Sequence, residues 1–387
     1  MLDSNLSVAE ISVWLQETDE RKLRELADVA DRIRQTRVGD EVWLRGLVEL
    51  SNCCRRNCLY CGVRAARKVE RYRMTREEIL ECARLADRFQ FGTLVLQSGE
   101  DLALDVEFIA DVVREIRERF DLAITLSLGE RGEDAWIRWK EAGAQRYLLR
   151  FETSNQALYR AIHPAPPGSV DANRIEMLKR LREIGYEIGS GVMIGIPGQT
   201  YDDLANDLAL FRELDLDMIG CGPFLPHRFT PLGRLEIQNG RWKTRPVPKE
   251  APEEEQENES PTNKAFDYPT SDSQVPNTNE LAFKVVALTR ILRPDANIPS
   301  TTAIATVDGK DGRKGALERG ANVIMPNLTP EKYRRLYEIY PNKAATFESP
   351  EETRQVALRQ IAEIGRPQGI GAGSSPRFLA RNQANAR

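Results

Sequence analysis

The sequence predicts an α/β chain folded as a (β/α)8 TIM-type barrel, with helices ahead of it and a long insertion between its sixth and seventh strands. Three observations carry that reading. Short apolar runs alternate with amphipathic helical segments, the runs number eight, and the first of them ends in a tight group of cysteines. Eight parallel strands close such a barrel, and its chemistry gathers at the C-terminal ends of the strands. A chain of 387 residues with 41% hydrophobic content can bury a core of that size.

Residues 1–40 form an N-terminal helical segment, because Val8, Ile11, Leu15, Leu23, Leu26, Val29 and Ile33 recur at helical spacing between charges. Val42 to Leu50 is an apolar run that delivers its end to the cysteines. Strands are expected near 43–50, 93–97, 122–127, 146–151, 188–194, 217–221, 297–302 and 321–325, with helices such as 75–90, 105–119, 171–184 and 202–213 between them. The barrel so defined covers 41–345, and the polar residues at its strand ends are Glu100, Thr125, Ser127, Arg150, Glu152, Thr301 and Thr302. Residues 240–278, rich in Glu, Pro, Asn and Ser, cannot bury enough to fold and are expected to be a disordered insertion; an acidic docking arm is the alternative. Helices are expected again at 280–292, 330–339 and 350–364. Residues 346–387 read as a helix followed by a frayed, flexible Gly- and Ser-rich tail.

The net charge of −4 and a pI near 5.7 argue against a dedicated nucleic-acid binder. Arg64, Arg67, Arg71 and Arg73 then read as a solvated, locally positive rim. No apolar run is long enough to span a membrane, and the N-terminus lacks the basic start and apolar core of a secretion signal. Six cysteines, three of them in one motif, fit a reducing cytoplasm.

The motif itself is SNCCRRNCLYCG, Ser51 to Gly62, in which Cys54, Cys58 and Cys61 are spaced C-x3-C-x2-C. Three thiolates on one loop can each take one iron of a 4Fe-4S cube, leaving the fourth iron open to a small chelating molecule. A zinc site would need a fourth donor, and the two histidines, His163 and His227, are remote in sequence. A disulfide would need an oxidising compartment, and buried structural thiols are the remaining alternative. Cys53 could start the count instead, but the resulting C-x4-C-x2-C is less usual, so Cys53 is assigned as a packed neighbour.

This motif, with Tyr60 before its third cysteine, matches the signature of the radical SAM superfamily, in which the chelating molecule is S-adenosylmethionine (SAM). Further stretches resemble the FeFe-hydrogenase maturase HydE family: RYRMT, LVLQSGED, ITLSLGE, WKEAGAQRYLLR, ETSN, IGSGVMIGIPGQT, DMIGCGPFLPH, ALTRILRPDANIPSTTA and GANVIMPN. Biotin synthase and methylornithine synthase share the same barrel. The GVMIGIPGQT stretch is no phosphate loop, since it lacks the Gly-Lys-Ser/Thr ending.

The resemblance implies roles. One 4Fe-4S cluster sits on Cys54, Cys58 and Cys61. Gln97, Ser98, Gly99 and Glu100 receive the amino group of SAM, Glu152 its ribose and Arg174 its carboxylate, while Tyr60, Met193, Gly195 and Met325 flank the remainder. Glu152 could instead cap the next helix, Arg174 could be a surface ion pair, and the methionines could be core filler. Thr125, Arg150, Thr301 and Thr302 form a seat for a substrate carboxylate, although paired threonines also suit strands. Tyr333, Tyr337 and Tyr340 resemble tyrosines that line the cavity.

Two departures from the family stand out: Phe151 occupies a position where a histidine is expected, and no cysteine follows Cys221, so a second cluster is not expected. The implied chemistry is reductive cleavage of SAM to a 5′-deoxyadenosyl radical, directed at an organometallic iron or small-molecule substrate. Its partners would be an electron donor such as flavodoxin or ferredoxin and other hydrogenase maturases, with no nucleic acid and no membrane. A methylornithine synthase-type amino-acid mutase and a non-catalytic iron–sulfur carrier are the alternatives.

Overall fold

The computed structural model describes all residues except Met1, 167–172, 239–274, Gly309, Ala345 and 386–387, so most of the expected 240–278 insertion lies outside the described residues. Two helices lead in, α1 (Val8–Gln16) and α2 (Glu20–Val38). Ser7 opens α1 with a capping box to Glu10, and Asp19 caps α2. Alternation follows: β1 (Val42–Ser51), α3 (Arg76–Arg88), β2 (Thr93–Ser98), α4 (Val106–Arg119), β3 (Ala123–Ser127), α5 (Glu133–Glu141), β4 (Arg146–Leu148), α6 (Gln156–Ile162), α7 (Arg174–Glu183) and β5 (Glu187–Ser190). It continues as β6 (Met193–Ile194), α8 (Tyr201–Glu213), β7 (Met218–Ile219), β8 (Gly222–Pro223) and α9 (Pro231–Gln238). Beyond the undescribed stretch come α10 (Asn279–Leu292), α11 (Thr302–Asp308), α12 (Lys310–Leu317), β9 (Val323–Ile324), α13 (Glu331–Arg334), α14 (Pro350–Glu363), β10 (Gln368–Gly369) and α15 (Pro376–Asn385).

The main sheet is parallel throughout, in the order β10-β1-β2-β3-β4-β5-β7, with β9 also on β1. Single bridges, Met218 to Asn297 and Pro299 to Val323, complete the circle. The expected seventh strand at 297–302 is corrected to those two bridges: Pro299 has no N–H to donate, and the chain turns directly into α11 at Thr302. The expected strand at 188–194 is likewise two, with β6 pairing β8 as a separate ribbon past the ends of β5 and β7. Of the expected helix at 330–339, only α13 forms.

Helices cover the outside of the sheet. α10 is buried along nearly its whole length because α1, α2, α8 and α12 pack around it, and an all-round buried helix reads as mostly apolar. Just before it, Val275 is buried and donates to the Gln199 carbonyl at 3.3 Å, and the Thr278 side chain caps α10. Residues 275–278 therefore belong to the packed structure and not to the expected insertion. Among the described residues no helix is long and apolar enough to cross a membrane.

The C-terminal segment also differs from the expected frayed tail. After β10 joins β1, residues 372–375 run across the N-terminal end of the barrel and bond its floor. The Ala372 carbonyl accepts from Thr93 Oγ1 (3.0 Å) and Arg146 Nη2 (2.8 Å), the Gly373 carbonyl from Arg45 Nη2 (3.1 Å) and Asn297 Nδ2 (2.9 Å), and the Ser375 N–H donates to Glu187 Oε1 (2.8 Å). Small residues suit this role because their backbone can reach polar groups that bulkier side chains would hold off.

Candidate active site

The cysteine loop leaving β1 is tied shut by its own side chains. Asn52, fully buried, donates to the Glu70 and Leu336 carbonyls and accepts from the Tyr72 N–H, each at 2.8 Å. Arg71 donates to the carbonyls of Asn52, Val63, Arg64 and Arg67 at 2.6, 2.9, 2.7 and 2.8 Å. A guanidinium committed to four carbonyls fixes the path of the loop. The expected positive rim is corrected accordingly: Arg64 is buried, Arg67 and Arg71 are partly buried, and Arg73 is the exposed member of the four.

The end of β2 comes down on this loop. A Cβ at Gly99 would lie 2.3 Å from the Cys53 carbonyl oxygen and 2.8 Å from Cys54 Cβ, a space that admits only glycine. The next N–H, that of Glu100, donates to Cys54 Sγ at 3.3 Å. Ser98 Oγ turns to the Gly99 carbonyl (2.6 Å), and Gln97 Nε2 donates to the Tyr337 hydroxyl (3.3 Å). The cysteines and the QSGE stretch are thus brought together.

Around Glu100 lies a buried charge network. Arg174 Nε donates to Glu130 Oε1 (2.8 Å), its Nη1 to the Arg150 carbonyl (2.7 Å), and its Nη2 reaches Glu100 Oε1 at 3.5 Å. Arg56 Nη1 donates to the other Glu130 oxygen at 2.9 Å. Burial and the neighbouring Glu130 charge push the Glu100 carboxyl upward, against the pull of Arg174 and Arg56. Arg174 is therefore no surface ion pair. Glu130 and Arg56 were not singled out from sequence, although the ITLSLGE and CCRRNC stretches carry them.

Tyr60 turns its hydroxyl to His163 Nε2 at 2.6 Å, and the His163 ring stacks on Tyr159. Burial and the cations Arg174, Arg56 and Arg150 hold this imidazole well below its usual range, so it is neutral. Met193 packs with Leu59, Ile196, Phe224 and Tyr60 beside the barrel mouth, and Gly195 has φ +78° with the Asn277 backbone against it. Met325 is half-buried just past β9.

Deeper in, Arg150 Nη2 donates to the Val192 carbonyl at 2.7 Å and lies 2.9 Å from Glu152 Oε2 without the alignment of a hydrogen bond. Glu152 sits in the left-handed region at φ +64°, and Asn155, not Glu152, caps α6. Arg150 Nε, Glu152 Oε2 and Thr125 Oγ1 are all buried and make no hydrogen bond. Thr301 Oγ1 is committed to the Cys221 carbonyl (3.0 Å), and the Thr302 hydroxyl bonds that of Tyr340. Tyr337 and Tyr340 thus face the interior, whereas Tyr333 stacks on Tyr72 with centroids 4.3 Å apart and donates to Glu78 of α3, away from the cavity. A buried pair that sequence reasoning missed, Lys343 Nζ to Glu49 Oε1 at 2.6 Å, sits beside Tyr337. Glu49 was hidden inside an apolar run, and nothing local marks Lys343.

Residues 48–211 match the model of the radical SAM superfamily. The chain is 45% identical to the FeFe hydrogenase maturase subunit HydE of Thermotoga maritima, over 92% of this chain and 89% of that one. The chain belongs to the HydE family of radical SAM enzymes. It is also 24% identical to a 3-methylornithine synthase of Methanosarcina acetivorans over 96% of its length and 91% of that protein's. The crystal structure of methylornithine synthase superposes with a TM-score of 0.73 at 21% identity, covering 94% of each chain, which bears out the barrel.

Radical SAM enzymes use a 4Fe-4S cluster and SAM, and the donor set of this HydE-family chain fits them. Among the described residues no three His, Cys, Asp or Glu side chains converge on one metal position. A cube needs no such convergence, since each thiolate takes its own iron, whereas zinc would need four donors about a point. Burial raises the thiols of Cys54 and Cys58 and lifts Cys61 to about 12, so these residues would become thiolates only with the charge of a bound metal to stabilise them. Backbone N–H groups of Arg56 and Glu100 bond the Cys54 sulfur. Cys53 instead turns its sulfur toward the Tyr72 carbonyl at 3.8 Å. The Phe151 ring packs on Phe211 of α8, with centroids 5.8 Å apart, and so lies against the helical layer.

Proposed function

We propose that this chain is a HydE-type maturase, using one cluster on Cys54, Cys58 and Cys61 together with SAM to process a small iron-containing precursor of the hydrogenase active site. The observation that carries the reading is the seating of Gly99 and Glu100 directly on Cys54, with three buried atoms that make no hydrogen bond, Arg150 Nε, Glu152 Oε2 and Thr125 Oγ1, deeper in the same barrel. When bound, the cluster and SAM supply a 5′-deoxyadenosyl radical by one-electron reductive cleavage.

The chain's own groups bind and orient. Gln97, Ser98, Gly99 and Glu100 present carbonyls and a carboxylate suited to an ammonium. Arg174, already held by Glu130, offers a guanidinium for a carboxylate. Glu152 would meet the ribose hydroxyls, and Tyr60, Met193, Gly195 and Met325 would line the remaining cofactor surface. Arg150 and Thr125 would hold the carboxylate of a cysteine-bound iron dicarbonyl cyanide species, with Thr301 and Thr302 joining them by turning their hydroxyls from the Cys221 carbonyl and Tyr340. The surrounding apolar wall excludes water from a reactive radical. Cofactor-site strain at Glu152 fits such a role, because strained backbone persists where structure over-determines it. The reading also implies a cytoplasmic enzyme working with the other hydrogenase maturases.

The test is anaerobic reconstitution with iron and sulfide, followed by assay of 5′-deoxyadenosine from SAM and dithionite, and then omission of this protein from a complete hydrogenase maturation mixture. Product formation and failure of activation on omission are expected. Full activation without the protein sinks the assignment.

A further inference from the structure

Past Glu100 the chain exposes Leu102, a leucine left 55% accessible, between three arginines. Arg55 Nε donates to Glu100 Oε2 at 3.3 Å. Arg73 grips Asp101 with bonds of 2.7 and 3.0 Å, and Arg131 Nη2 donates to the Asp101 carbonyl at 2.6 Å. Both carboxylates are buried while Arg55 and Arg73 are exposed. The face presented to solution is therefore an apolar centre rimmed by guanidinium groups, whose charge is partly offset by Glu100 and Asp101 beneath them, on a chain whose overall charge is −4.

The position of this face matters as much as its charge. The Arg55 N–H donates to the Glu100 carbonyl at 3.1 Å, and Arg55 directly follows Cys54, which is only partly buried while Cys58 is buried. The patch thus lies on the open side of the cysteine loop, over the thiol that Glu100 contacts. An exposed apolar anchor with a polar rim has the make-up of an interface. Arginines already held by hydrogen bonds lose little further freedom on docking. A cationic ring also speeds encounter with an anionic surface. Two copies of this chain meeting through it would oppose like charges.

We propose that the Arg55, Leu102, Arg73 and Arg131 face is the docking site of an acidic protein carrying a one-electron donor. The donor loses one electron, the cysteine-bound centre gains it, and no atom or proton is transferred. The inference rests on the radical SAM reading above but is tested separately from it.

The experiment measures binding of purified flavodoxin to the reconstituted protein at low and high salt, beside SAM cleavage driven by reduced flavodoxin or by dithionite. Wild-type binding should weaken as salt rises from about 50 to about 300 mM, because the rim charges are solvent-facing. Leu102→Asp should weaken binding by about tenfold, since it places a repulsive charge at the apolar centre. Arg73→Gln should do so by a smaller factor. Flavodoxin-driven cleavage should fall in step for Leu102→Asp while dithionite-driven cleavage stays at the wild-type rate. Binding that is salt-insensitive and unchanged in both variants overturns the proposal, as does a Leu102→Asp effect confined to self-association. Absence of dithionite-driven cleavage in the wild type would instead count against the proposed activity, leaving the docking face to be judged on binding alone.

Discussion

The two ends of the barrel are both built from buried charge, yet they are satisfied very differently. At the N-terminal end Arg146 and Glu187, each fully buried, pair at 2.6 Å, and the rest of the arginine is taken up by Thr93, the Ala372 carbonyl and Ser374. Glu187 gives its second oxygen to the Ser375 N–H. Among the described residues two buried atoms make no hydrogen bond there, Arg45 Nε and Asp215 Oδ1, and the second is ion-paired to Arg293 and Arg377. At the C-terminal end Arg150 Nε, Glu152 Oε2, Thr125 Oγ1 and His163 Nδ1 all make no hydrogen bond, although Glu152 Oε2 lies 2.9 Å from Arg150 Nη2. A buried polar atom without a partner costs about 1–3 kcal/mol. A floor that closes its network and a mouth that leaves its own open distinguish a structural seal from a surface shaped for a ligand.

The largest effects should come from removing the ligands at the mouth. Cys58→Ala is expected to abolish bound iron and 5′-deoxyadenosine formation together, while the metal-free protein keeps its far-ultraviolet dichroism. Cys53→Ala should retain both the iron and the product, since its sulfur points to the Tyr72 carbonyl. Iron content and product yield of the two variants decide whether the loop is read in the right register; equal losses would break the comparison at its upper end.

The floor should respond in the opposite sense. Arg146→Met strands Glu187 as an unpaired buried charge, and such losses cost about 3–5 kcal/mol. Urea unfolding of the metal-free protein should show that loss, while SAM cleavage by the reconstituted variant persists at temperatures where it remains folded. Adding Glu187→Leu should recover part of the stability, because an apolar pair needs no compensation. A stable Arg146→Met variant with impaired SAM cleavage would mean that the floor, too, serves the site.

This contrast explains what was legible in the sequence. The eightfold alternation and the cysteine spacing were readable because both are local patterns, and β1 to β5, α3, α4, α7 and α8 fall close to where periodicity set them. The closing strand was not, since Pro299 leaves only bridges that depend on partners far along the chain. The floor was hidden for a similar reason: a Gly- and Ser-rich tail looks unstructured until Arg146, Thr93 and Glu187 are seen to need its backbone. Within the site, the cofactor residues lay on stretches with a recognisable order, whereas Glu130, Arg56, Glu49 and Lys343 acquire meaning only from pairings that span 74, 44 and 294 positions.

The finest test separates stability from binding at one residue. Glu152 holds φ +64°, and against that strain its side chain offers an ion pair to the part-exposed Arg150 at 2.9 Å without an aligned hydrogen bond. Strain of this kind costs about 1–3 kcal/mol. Replacing it by glycine relieves the backbone and removes a buried carboxylate, against the lost pairing with Arg150 and the greater entropy of glycine in the unfolded chain. The expected outcome for Glu152→Gly is a metal-free protein whose stability is unchanged or higher by about 1 kcal/mol, measured by urea unfolding. SAM binding to the reconstituted protein should nevertheless weaken by about tenfold or more, as expected when a charged hydrogen-bonding partner is lost. Glu152→Gln should fall between the two in affinity without the gain in stability, because it keeps the strained backbone. If Glu152→Gly instead lowers stability and leaves SAM affinity intact, the carboxylate belongs to the scaffold, and the open network at the mouth loses its meaning as a ligand surface.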